Sequence, residues 1–148
     1  MTVKSIKNLL LHEDKIRLQG THYANQDYHI TIAKEYLVLG LTFDTIKNES
    51  MCLVEHVSDF GHIVSSPLFM FEITENTTSK FWEMKIWDDR SITLFPKLLY
   101  EECFHDKHSD GILDVVQRFN SLYSDMKEEV LPRIFLNNDH PARAGCCS

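Results

Sequence analysis

The apolar residues of this chain change their spacing once, and that change limits the fold more than any other feature. Before residue 96 they recur at alternate positions, and after residue 110 they recur at intervals of three and four. The first period belongs to strands and the second to helices. Tyr28, Ile30 and Ile32 alternate with polar neighbours, as a half-buried strand requires. Glu35 to Phe43 is a near-continuous apolar run that predicts a strand buried on both faces. Met51 to Val57 predicts a third strand, closed by the turn Ser58-Asp59-Phe60-Gly61. Pro67 opens a fourth, with Phe69, Phe71 and Ile73 on one face. A hairpin follows: Trp82, Met84 and Ile86 point one way, with Trp82 inward, and Phe81, Glu83 and Lys85 point the other. Asp88-Asp89-Arg90-Ser91 turns the chain, and Ile92 with Leu94 returns it. Arg90 stands where turn chemistry favours Gly or Asn, so either its backbone is strained or the loop is longer.

Beyond Pro96 a short helix is expected over residues 97–104. Ser109 or Asp110 then caps a longer one, whose face is Ile112, Val115, Val116, Phe119, Leu122 and Met126. This spacing predicts an amphipathic helix from about 110 to about 129, limited by Pro132. The N-terminus is ambiguous. Val3, Ile6, Leu9 and Leu10 follow helical spacing, while Lys4 to Lys7 reads equally well as a first strand. Gly20 to Asp27 reads as a loop. Strands first and a helix last predict an α+β fold: a small twisted antiparallel sheet or small β-barrel with the C-terminal helix packed on it. The 148 residues, 43% of them apolar, suffice for one core. Residues 1–131 are expected to form that single domain and 132–148 a mobile tail.

Charge narrows the partner. Residues 1–34 carry a balance of +2, residues 35–95 of -6 and residues 96–148 of -3, within a net -7. An acidic centre disfavours nucleic acid and anionic membrane, which need clustered Lys and Arg, and favours a protein with a basic face. Ordinary solubilising charge is the plainer alternative. No apolar run approaches the ~20 residues that span a bilayer. Leu9-Leu10-Leu11 is too short for a signal segment, so a cytoplasmic location is expected. The four cysteines, at 52, 103, 146 and 147, lack the spacing of a disulfide framework and fit a reducing compartment. Gly145-Cys146-Cys147-Ser148 has the look of a double-cysteine prenylation tail, without the GTPase sequence that accompanies one.

Ile30-Thr31-Ile32-Ala33-Lys34-Glu35-Tyr36-Leu37-Val38-Leu39-Gly40 resembles the opening of small bacterial and phage SH3-like barrels, with Ala33 in place of their turn glycine. Pro67 to Ile73 resembles their later strand, and Ser79-Lys80-Phe81-Trp82 a following segment of longer relatives. The resemblance covers residues 28–83. Acidic single-domain proteins of this layout are similar to the immunity proteins of bacterial polymorphic toxin systems. That resemblance implies a stoichiometric inhibitor that binds the active-site region of a cognate toxin with a basic surface.

The residues carry no reaction signature. Glycine-rich phosphate loops and the G-x-S-x-G elbow are absent from the sequence, so no cofactor is expected. The densest polar group is Glu101, Glu102, Cys103, His105, Asp106, His108 and Asp110. His105 and His108, three apart on a helix, would share a face and offer two imidazoles to a metal, with Asp106 or Cys103 completing the site. That is the alternative reading, a metal-dependent enzyme; a solvated polar linker is the plainer one. Cys103 with His105 as nucleophile and base, and the pairs Asp88-Asp89 and Glu101-Glu102 as acid and base, rest on sequence adjacency alone. The partner-binding candidates are Phe81, Trp87, Asp88, Asp89 and Glu83: aromatic anchors beside a charged rim, as interfaces favour. Packing of those aromatics against the helix competes with this reading.

Overall fold

The structure, a computed structural model, describes residues 1–46 and 49–138. The tail beyond 138, with Cys146 and Cys147, therefore lies outside the described residues. Three short strands, β1 (Thr2–Ser5), β2 (Glu35–Leu37) and β6 (Phe71–Glu75), form one antiparallel sheet in the order β2-β1-β6. The others, β3 (Gly40–Ile46), β4 (Glu49–Val57), β5 (Ile63–Pro67), β7 (Trp82–Ile86) and β8 (Ile92–Pro96), form a second in the order β5-β4-β3-β8-β7. Both sheets stay open, so the fold is the α+β sheet expected and not the closed SH3-like barrel. Three α-helices join them: α1 (His12–Leu18), α2 (Phe104–Ser109) and α3 (Leu113–Asn138).

The alternation of strand side chains divides the large sheet's two faces. Leu41, Val54 and Leu94 turn to one side and pack with Val3, Tyr36, Val38 and Phe71 of the small sheet. Phe95 turns to the other and packs with Leu39, Phe104 and the α3 stripe Val115, Phe119, Met126 and Val130. Burial of those four helix side chains contributes at most about 1.5–3 kcal/mol each. Leu53 and Met51, also on the helix side, pack with Leu18 and Ala24 beneath α1. The α3 stripe follows the expected spacing, except that Ile112 precedes the helix and is 49% exposed.

Several expectations change. Glu35 to Phe43 is two strands, because Val38 and Leu39 carry the chain from the small sheet into the large one. Residues 28–32 form no strand. His29 and Ala33 have φ of 48° and 66°, and Asp59 holds the segment by accepting from the Thr31 hydroxyl (2.7 Å) and the Tyr36 phenol (2.9 Å). Tyr28 and Ile30 are buried there, and Ile32 is exposed. Pro67 ends a strand rather than opening one, and a 3-10 turn, Leu68–Met70, leads into β6. α3 runs through Pro132 instead of stopping before it. Pro132 sits on the exposed side of the helix, and its missing N–H takes from the Glu128 carbonyl the donor of an ordinary helical turn. The N-terminal ambiguity resolves into both options in turn, β1 and then α1. Arg90 adopts φ 67°, the strained alternative for the hairpin turn.

Gly40 opens β3 where the chain changes sheets, and a Cβ there would lie 2.1 Å from the Phe95 ring and 2.7 Å from the Leu94 carbonyl. Gly40→Ala is expected to lower unfolding free energy by about 1–3 kcal/mol, measured by denaturant titration. An unchanged midpoint would show that the β3–β8 contact is looser than described.

Candidate protein-docking face

The β7–β8 hairpin forms the outer edge of the large sheet, and its two faces meet different surroundings. Trp82 is anchored at the base, where its indole N–H donates to the Leu39 carbonyl at 2.7 Å. Met84 and Ile86, expected inward with it, are each 66% exposed. The core shared with the small sheet reaches Leu41, Leu94 and Trp82 on this face, and Met84 and Ile86 lie beyond it. The register places Ile86 opposite Ile92 and Ile92 opposite Phe43, which in turn pairs with Cys52. An apolar row thus crosses four strands, with Phe43 42% exposed. It runs on into an open hollow of about 540 Å³, lined by Cys52, Leu68, Phe69, Phe71 and Ile73. A second hollow, about 370 Å³, adjoins it between Phe43 and the hairpin turn and is bordered by Asp44, Asp89 and Arg90.

Of the expected partner-binding residues, Phe81, Glu83 and Trp87 lie on the opposite face, while Asp88 and Asp89 lie in the hairpin turn, so they are not all together. Phe81 is half-buried at the base, packed into the helix-side core, and lines a small hollow with Glu83 and Leu122. Trp87 stands near the tip. Its indole N–H donates to the Thr93 hydroxyl at 3.0 Å, and the Lys85 ammonium lies 3.7 Å from its ring centre. Asp88 is exposed in the turn. Asp89 accepts from the Ser91 N–H (2.9 Å) and hydroxyl (2.7 Å), bonds that hold its carboxyl below the ordinary range. Glu83 is exposed and has no ion-pair partner among the described residues. Phe43, Met84, Ile86 and Ile73 went unnoticed because alternation alone says which face a side chain takes. It does not say how far a covering layer extends.

The histidine pair separates. His105 reaches from α2 to Glu55, a buried carboxylate on β4. His108 turns its ring edge-on to Phe119, 4.6 Å between centres. Cys103 is exposed with φ 56°, and Asp106 lines a hollow of about 190 Å³ with His62, His105 and His108. Among the described residues no group of three His, Cys, Asp or Glu side chains is arranged to hold a metal ion. A second histidine, His56, shares a 2.9 Å hydrogen bond with Ser66. The distance suits a base and a hydroxyl nucleophile, yet both residues are fully buried, and burial favours the neutral ring.

No family, curated protein or solved structure matches this chain.

One titration and one reactivity comparison check the geometry. The Glu55 hydrogen bond raises the pKa of His105 against the opposing effect of burial. The stability it contributes is complete below the ordinary histidine pKa and is lost as pH rises through the raised one. In an NMR titration Glu55→Gln should bring the His105 midpoint down; an unmoved midpoint would contradict the pairing. Burial pushes the Cys52 thiol up to about 11, so at neutral pH it should react with a disulfide reagent far more slowly than exposed Cys103. Equal rates for the two would contradict the packing at the hollow.

Proposed function

We propose that this chain is a protein-binding module that docks its partner on the open face of the large sheet. The observation that carries the reading is the apolar row of exposed Ile86, half-buried Ile92 and exposed Phe43, continuous with the hollow beside Ile73. An apolar centre with a polar rim is the anatomy of an interface, and Asp44, Asp89, Arg90 and Arg17 supply a rim of mixed charge. The complementary partner presents apolar anchors within a polar surround. The balance of -6 over residues 35–95 favours a partner with a basic face and would speed the encounter in a salt-dependent way. Within this class our reading is an immunity protein that neutralises a bacterial toxin stoichiometrically. Its support is the acidic charge together with the single-domain α+β layout.

Co-expression with the product of an adjacent toxin gene should restore growth, and the two chains should co-purify at equal stoichiometry. Failure of both would remove the immunity reading. The docking face is tested separately with Phe43→Ser combined with Ile73→Ser, both side chains being substantially exposed. The double variant should weaken binding by about tenfold or more while the unfolding midpoint changes little. Undiminished binding would move the partner elsewhere.

A further inference from the structure

β7 is an edge strand of the large sheet, a feature separate from the apolar row. Trp87 N–H donates to the Ser91 carbonyl at 2.9 Å, which turns the Trp87 backbone toward β8. Backbone groups alternate along an antiparallel ladder, and the pairing runs unbroken from Trp82 opposite Pro96 to Ile86 opposite Ile92. Lys85 and Glu83 therefore also direct their backbone toward β8, whereas Met84 and Ile86 direct theirs outward. Pro96, which lacks an N–H, faces Trp82, as this phase requires. On that side the Trp82 N–H is taken by the Ser79 carbonyl at 3.3 Å, while the outward backbone groups of Met84 and Ile86 have no partner strand among the described residues and form the template on which another strand pairs.

The strand reads Trp82-Glu83-Met84-Lys85-Ile86, and it is complementary to itself. A two-fold axis at Met84 sets Met84 against Met84 of a second copy, in register for reciprocal backbone hydrogen bonds. The same axis sets Glu83 opposite Lys85 of the second copy, twice over, and Ile86 opposite Trp82 of the second copy. Lys85 is the feature that would deter most foreign strands from a sheet edge. In this register it meets a carboxylate that has no ion-pair partner among the described residues of its own chain. Met84 and Ile86, each 66% exposed, fall on one face and both charges on the other.

From this self-complementarity we infer that two copies of the chain pair through β7 as an isologous dimer, joining two five-stranded sheets into one of ten. The inference does not rest on the partner-binding reading. The row around Phe43 lies two strand spacings, about 10 Å, from the β7 edge and stays open in the dimer.

Sedimentation of the chain alone tests the inference. The wild-type chain of 17.3 kDa should associate to twice that mass as concentration rises. Glu83→Lys and Lys85→Glu, studied separately, each place like charges opposite one another and should weaken association by roughly tenfold or more. Mixing the two variants in equal amounts should restore it, because each then faces its opposite; a merely structural effect of either substitution would not be reversed by mixing. A chain that is monomeric at every concentration would overturn the inference. So would a dimer that neither substitution weakens, or a mixture that fails to recover.

Discussion

Two consecutive residues, Val38 and Leu39, hold the architecture together. Both are fully buried, in different cores: Val38 packs between the sheets and Leu39 against the helices. Their backbone groups tie in the remaining elements. Val38 N–H donates to the Met1 carbonyl (3.1 Å), Leu39 N–H donates to the Glu55 carbonyl (2.8 Å), and the Leu39 carbonyl accepts the Trp82 indole (2.7 Å). One dipeptide thus fastens the small sheet, the centre of the large sheet and the base of the hairpin. Gly40 completes the crossing by letting the Phe95 ring lie against bare backbone.

This arrangement explains why the hairpin is both well founded and exposed. The base is fixed by Trp82 and by packing of Phe81 and Phe95 near α3. Beyond it, the three-stranded sheet is too small to cover the five-stranded one, and Phe43, Met84 and Ile86 are left in solvent. A firm base with an uncovered apolar end offers a partner a surface that needs little ordering before it binds. Two distinct features share this end: the apolar row on the sheet face and the free backbone of the outermost strand.

Periodicity made much of this legible. The stripe of α3, the hairpin, β4 and the strained turn at Arg90 all follow from spacing and turn chemistry. The failures share a cause, which is tertiary contact overriding a local pattern. Tyr28 to Ile32 alternates like a strand but is drawn into a bend by Asp59, which lies more than twenty residues away in the chain. Glu35 to Phe43 looks like one strand because a crossing between sheets needs the same buried apolar residues as a central strand. At the candidate site, Trp87, Asp88 and Asp89 do stand near the tip, while Phe81 is taken up by packing. The exposed residues of the other face could not be identified until the limit of the covering sheet was known. His105 and His108 share a helix, but only the fold shows that one faces Glu55 and the other Phe119.

The outward backbone of β7 is read residue by residue by amide hydrogen exchange. In dilute solution the Glu83 and Lys85 amides should exchange slowly, held by β8, and those of Met84 and Ile86 rapidly. As the protein is concentrated, Met84 and Ile86 should become protected while their neighbours stay as they were. Fast exchange at all four positions, or Met84 and Ile86 remaining unprotected at the highest concentration, would contradict pairing through β7.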